Sequence, residues 1–168
     1  VAVKVEIRAA TFEDARELAP RLRPEEVAEV AASHGVPPLE ALEESLRQSE
    51  EAWVALFDGQ VACMWGVVPL YATFLGGRTG SVWLLTSDLV ERYPKVFWRG
   101  CLFLLPQLFL RWDCLMNAID VRHEKAIRWA RRLGFPLLSP HPFGLEGQPF
   151  SLFSVRKEDT PWAQPSRS

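Results

Sequence analysis

The chain has 168 residues, 48% hydrophobic and 24% charged, with a mean hydropathy of −0.01. That is enough chain for one domain with a full core, and the composition excludes wholesale disorder, a collagen repeat and a disulfide scaffold. The net charge of −2 gives no global basic field for nucleic acid, but residues 1–51 carry 12 acids against 6 bases while residues 52–168 carry 9 against 13, so a phosphate-bearing ligand is expected on the second part.

Residues 3–8 alternate apolar and polar side chains, the period of a strand with one wet face. Thr11 stands where an N-cap belongs, with Asp14 at the capping-box distance, and predicts a helix to about Leu22. Pro24 opens a second helix with Val27, Val30 and Ala31 as its apolar stripe, and Pro37-Pro38 opens a third with Leu39, Leu42 and Leu46. Residues 51–57 and 61–68 read as an antiparallel pair across Asp58-Gly59-Gln60. Residues 76–80 read as a flexible glycine turn and 81–86 as a central fourth strand. Ser87 or Asp88 can cap a short turn, and Pro94 suits the first position of a long helix to about Trp112. A strand over 115–121 leads to a helix over 123–133, stopped by Gly134 as a left-handed cap. Residues 136–139 and 149–155, on either side of a turn at 144–147, suggest a last pair of strands.

The expected organisation is one domain over 1–156 with a polar, flexible tail over 157–168. Cys63, Cys101 and Cys114 sit among apolar neighbours without metal-ligand spacing, so they read as buried thiols in a reducing compartment, and no metal is expected. No charged leader followed by an apolar stretch opens the sequence, from which the cytoplasm is the expected location.

This order of elements resembles the acyl-CoA-dependent N-acyltransferase fold called GNAT, an α/β fold with a mixed, mostly antiparallel sheet of about seven strands flanked by helices. Two stretches carry the resemblance: Ile7-Arg8-Ala9-Ala10-Thr11-Phe12-Glu13-Asp14-Ala15 is similar to the family's first strand and capped helix. His123-Glu124-Lys125-Ala126-Ile127-Arg128-Trp129-Ala130-Arg131-Arg132-Leu133-Gly134-Phe135 is similar to its penultimate helix. Leu22-Arg23-Pro24-Glu25, Trp83-Leu84-Leu85-Thr86-Ser87-Asp88 and Ile127-Arg128-Trp129 narrow the resemblance to GNAT-like proteins of short-tailed bacteriophages and prophages. Those proteins are tied to virion assembly or internal virion content, often without demonstrated enzymatic activity. The resemblance therefore implies two functions: an acetyl-CoA-dependent N-acetyltransferase, or a non-enzymatic virion-associated scaffold.

In the family the edge of strand four splays from strand five and binds the pantetheine arm of acyl-CoA, and the diphosphate rests on amides of a glycine-bearing loop before the next helix. The resemblance thus places the cofactor on Leu84, Leu85, Thr86 and Ser87, with Arg92, Lys95 and Arg128 toward the phosphates. The stretch from Asp88 to Lys95 has no glycine, and Pro94 removes a donor. The tyrosine that often protonates the leaving thiolate is replaced by Ala130, and the asparagine before that helix by His123. His123 can bond the helix start, contact the cofactor or act as a base, and Asp88 can assist proton transfer. Glu50, Glu51 and Ser87 are further candidates from the sheet's cleft, each also readable as a strand end or a cap.

Residues 96–112 form an apolar stretch, but Arg99 and Arg111 leave only 11 uncharged residues between them, short of the roughly 20 that span a bilayer. The helix 95–112 is thus core, or a surface for a second copy or a phage structural protein with Phe109 on the exposed side, and Pro106 should bend it. Arg122, Lys125, Arg128, Arg131 and Arg132 surround Trp129 as the best nucleic-acid or cofactor-phosphate candidate, alternatively a solvated helix face. The loop 141–150 either lines a substrate cleft or simply joins two strands.

Overall fold

The computed structural model describes residues 2–70 and 77–160. Strand β1 (Val5–Ala9) leads to helix α1 (Phe12–Leu18), followed by α2 (Pro24–His34), α3 (Pro38–Gln48), β2 (Glu51–Phe57), β3 (Gln60–Leu70) and β4 (Thr79–Thr86). A single turn α4 (Leu89–Arg92) precedes α5 (Pro94–Leu108), β5 (Cys114–Asp120), α6 (Glu124–Arg132), β6 (His141–Pro142) and β7 (Pro149–Arg156). The strands form one sheet in the order β1-β2-β3-β4-β5-β7-β6, and only β4 with β5 is parallel. This is the mixed, mostly antiparallel seven-stranded sheet expected from the sequence.

Local chemistry explains most boundaries. The Thr11 hydroxyl accepts from the Asp14 amide while the Asp14 carboxylate accepts from the Thr11 amide, a complete capping box. Asp14 also takes both ends of the Arg8 guanidinium at 2.8 Å, tying β1 to α1. The α-helix ends at Leu18 rather than near Leu22, because Pro20 has no amide to continue the ladder and the chain tightens into a 3-10 turn over Ala19–Arg21. Asp58 and Gly59 both take positive φ, as a two-residue hairpin turn requires.

The sheet is packed on both faces. Ala15, Leu18 and Leu42 of α1 and α3 meet Val54, Leu56 and Met64, while Leu105, Leu108 and Phe109 at the end of α5 join Ile127, Ala130 and Phe135 over β5 and β7. Trp112 locks the point where β4 meets β5. Its ring lies on Gly80, where an added Cβ would strike both Trp112 and Val67, and its indole donates to Glu51 Oε1 at 2.6 Å. The expected glycine turn is accordingly strand from Thr79 onward, since Gly80 is needed for close approach and not for a bend. Gly76 and Tyr71 lie outside the described residues.

Three further expectations change. The last strands are β6 and β7; Leu137 makes only an isolated bridge to Phe153, between prolines 136 and 140 that cannot donate to a ladder. Lys157–Asp159 form a 3-10 turn, the Lys157 amide donates to the Asp113 carbonyl and Thr160 is buried, so the described part of the tail belongs to the domain. The long helix stops at Leu108, and Phe109 is 2% exposed within the core, not on a free side; the apolar side chains that do face outward near it are Leu102, Phe103 and Leu110. No helix among the described residues is long and apolar enough to cross a membrane.

Two tests follow from this packing. Phe109→Ala should cost about 3–5 kcal/mol in urea denaturation, whereas Phe103→Ala should stay within about 0.5 kcal/mol; equal costs would contradict the helix orientation. Burial alone would raise the Asp14 carboxyl, but hydrogen bonds from Arg8 and Thr11 outweigh it and hold its pKa below the ordinary value. Its contribution is therefore present above the unfolded-state pKa of about 3.9 and is lost as pH falls through the folded value. Asp14→Asn should destabilise the fold by about 1–3 kcal/mol at neutral pH, with the deficit shrinking in acid.

Candidate functional site

The parallel pairing of β4 with β5 covers only Thr79–Cys114, Gly80–Leu115 and Ser81–Met116. Beyond it the strands part. The Ser87 amide donates to the Ala62 carbonyl at 2.8 Å, so the alternation of an antiparallel ladder turns the amides and carbonyls of Trp83 and Leu85 toward β3 and leaves those of Val82, Leu84 and Thr86 pointing into the gap. A cleft of about 460 Å³ opens there, walled by Val82, Trp83, Leu84, Ile119 and Trp129 and bearing Arg23, Glu26, Glu29 and His123 as polar groups.

Both strands receive side-chain partners in the gap. Asn117 donates to the Val82 carbonyl at 2.5 Å. From α2, Glu26 accepts the Thr86 amide at 2.9 Å and the Thr86 hydroxyl at 2.7 Å. Arg23 donates to Glu26 at 3.0 Å and to Glu91 at 3.0 Å, and Lys125 also reaches Glu91, at 2.6 Å. His123 is 4% exposed at the start of α6, with Nε2 3.4 Å from Arg23 and Nδ1 3.4 Å from Glu29. Because a guanidinium can only donate, the tautomer that satisfies both contacts carries its proton on Nδ1. Burial raises the Glu26 carboxyl above the ordinary range despite Arg23 and Thr86, which pull it down. The Arg23 guanidinium is desolvated as well, yet Glu26 and Glu91 keep its pKa raised. Arg23 Nε is buried without an acceptor in the structure.

The residues expected from sequence divide cleanly. Leu84, Thr86, His123 and Arg128 line the cleft. Leu85 packs on the α1–α3 face, and Ser87 is fully buried with its hydroxyl on the Val61 and Ala62 carbonyls at 3.1 Å, because the strand's alternation turns both away from the gap. Asp88, Arg92 and Lys95 are exposed and outside the cleft lining, and Arg92 is bonded to Asp88 at 3.1 Å. Glu50 is paired with Arg78, and Glu51 with Arg111 and Trp112. Of the basic cluster, Arg122 is held by Asp120, Lys125 by Glu91, and Arg132 covers the Trp98 ring at 4.3 Å. Trp129 stacks inward on Phe97. In the loop 141–150 the Leu145 amide donates to the Ala32 carbonyl at 2.8 Å, docking the loop on the end of α2 rather than over the cleft.

Glu26, Arg23 and Glu29 escaped the sequence reading. The stripe of α2 is Glu26, Val30 and Ala32, while Val27 and Ala31 face solvent. An acidic position four residues before Val30 was the only signal, and charged residues are ordinarily assigned to the wet face.

The strand edge and the turn after it differ in what they offer an acyl-CoA. At Leu84 the amide and carbonyl point into the cleft as an added strand would need. The diphosphate end does not fit a cradle of amides: those of Val90, Glu91, Arg92 and Tyr93 donate to Ser87, Asp88 and Leu89 carbonyls at 2.9–3.3 Å, and no glycine opens the turn. Glu91 adds a negative charge beside it. Among the described residues no group of three or more His, Cys, Asp or Glu could hold a metal ion.

No family model and no curated protein matches the chain. Solved structures do. An aminoglycoside N(6')-acetyltransferase from Legionella pneumophila superposes with a TM-score of 0.67 at 9% identity over 95% of each chain. The protein yncA from Salmonella typhimurium, solved with its cofactor acetyl-CoA, gives 0.60 at 17% identity over 98% of this chain and 99% of its own. A GNAT-family acetyltransferase from Streptococcus pneumoniae gives 0.53 at 14% identity over 91% and 99%. The chain has the GNAT fold.

Glu26→Ala should cost about 3–5 kcal/mol, because it strands a buried arginine and the Thr86 hydroxyl. With its carboxyl raised in the fold, Glu26 binds its proton more tightly folded than unfolded, so the wild type loses stability as pH rises from the unfolded-state pKa through the folded value. Urea midpoints across pH should therefore move in favour of Glu26→Gln, relative to wild type, as pH rises past about 4.5.

Proposed function

We propose that the chain is an acyl-CoA-dependent N-acyltransferase acting on an amine in the β4–β5 cleft. The observation that carries this reading is the opened strand edge at Leu84 beside a buried carboxyl at Glu26. A bound acyl-CoA supplies the acyl group as an activated thioester. The chain's own contribution is to pair the thioester's amide-bearing arm along Leu84, exclude water with Trp83, Trp129 and Ile119, and take up a proton within the cleft. Glu26 suits that last task because its raised carboxyl holds a proton more readily than an exposed one, and Arg23 with Thr86 fixes its orientation. His123 and Glu29 stand next to it as a second pair. On this reading Arg128 and Lys95 meet the phosphates by charge alone, in place of an amide cradle.

A second reading is favoured by the closed turn over 88–93, whose amides are already bonded, and by the outward-facing Leu102, Phe103 and Leu110: a non-enzymatic scaffold that binds a protein partner through α5. The resemblance to virion-associated proteins of short-tailed phages belongs with it.

Isothermal titration with acetyl-CoA separates the two. Acyl transfer predicts binding in the micromolar range, shared by desulfo-CoA and weakened by salt because exposed cations provide the phosphate contacts. The double variant Lys95→Ala with Arg128→Ala should weaken binding and flatten the salt dependence. Absence of binding at millimolar acetyl-CoA would overturn the enzyme reading and leave the scaffold.

A further inference from the structure

A second cavity of about 100 Å³ lies beneath α5, lined by Phe57, Trp65, Val96, Gly100, Cys101 and Leu104 together with residues of the cleft itself. Val82, Trp83, Leu84, Phe97, Leu105 and Trp129 belong to both walls, so the two spaces meet at the β4 edge. The stacked rings of Phe97 and Trp129, 6.0 Å apart, stand at that shared wall. The lining is almost wholly apolar, and burial keeps the Cys101 thiol un-ionised by pushing its pKa up to about 12. Gly100 is the feature that ordinary packing does not explain. It sits inside a helix, where glycine is unfavourable, and a Cβ there would meet nothing within 4 Å. Gly100 lines the cavity, and a side chain added there has room to enter it.

We infer that this cavity receives the acyl chain of the thioester held on β4, so that the preferred donor carries a short aliphatic acyl group of about four to six carbons rather than acetyl. The inference rests on the proposed acyl-CoA reading and adds the class of donor. A thioester aligned along Leu84 has its acyl end beside the shared wall, and a tail entering the cavity leaves water for an almost wholly apolar surface. The size sets the limit: a cavity of about 150 Å³ holds a benzene ring, so about 100 Å³ admits a few methylenes and not a long chain. Each methylene moved out of water raises affinity about fourfold.

The test is calorimetric titration of the full chain with acetyl-, butyryl-, hexanoyl- and dodecanoyl-CoA, repeated on Gly100→Leu, which fills the cavity while improving helix propensity. Wild type should bind hexanoyl-CoA at least tenfold more tightly than acetyl-CoA and gain nothing further from dodecanoyl-CoA. Gly100→Leu should abolish that preference while binding acetyl-CoA as the wild type does. Gly100→Ala, which adds one methyl into open space, should reduce hexanoyl-CoA affinity a few-fold with a raised melting temperature, and it replaces the leucine variant if that one fails to fold. Acetyl-CoA binding with no gain from the longer chain, or a gain that survives both substitutions, would overturn this inference and leave the acyltransferase reading standing. No binding of any thioester would overturn both.

Discussion

A backbone amide or carbonyl buried without a partner costs about 1–3 kcal/mol, and parting β4 from β5 after Ser81 exposes several of them at the centre of the sheet. The fold answers with side chains. Asn117 caps the Val82 carbonyl, and Glu26 reaches across from α2 to take the Thr86 amide. Holding a carboxylate there in turn requires Arg23, and Arg23 draws in Glu91 and His123. One gap in a ladder thus assembles a charge cluster from α2, α4 and α6 that is buried at Glu26 and His123 and reaches the surface at Glu91.

The opposite end of the same junction is held shut. Trp112 fills the space over Gly80 and anchors to Glu51, while Phe109 and Leu108 seal the base of α5 against β5 and β7. The strands are pinned for three residues and then diverge, which gives a wedge with a rigid apex rather than a flexible slot. The packing is looser at the middle of α5, where Gly100 lines the cavity that adjoins the wedge. Rigidity at the apex and space along α5 are complementary: the first positions a ligand and the second gives part of it room.

The turn after β4 shows how a fold can keep its shape while one binding device changes. In place of a glycine loop with open amides, 88–93 is a closed turn whose donors serve its own carbonyls, and the nearby charges of both signs are largely paired with each other. Any anion held there depends on side chains and hence on ionic strength.

Local patterns in the sequence were enough to place nearly every element, because the signals involved act over a few residues: the Thr11–Asp14 box, the Asp58-Gly59 turn, prolines at helix starts and Gly134 at a helix end. The Leu84 and Thr86 edge and His123 were singled out by the family resemblance and not by any local pattern; all three line the cleft. What the sequence could not show was which side of α2 would be inside. Periodicity assigns charges to water, whereas Glu26 is buried because a distant strand presents an unpaired amide to it. Phe109 went the other way for the same kind of reason, since an all-apolar helix carries no marker of its covered face and only its seat against β5 and β7 decides it. The empty space beneath Gly100 is likewise a property of neighbours from four strands, and no local pattern encodes it.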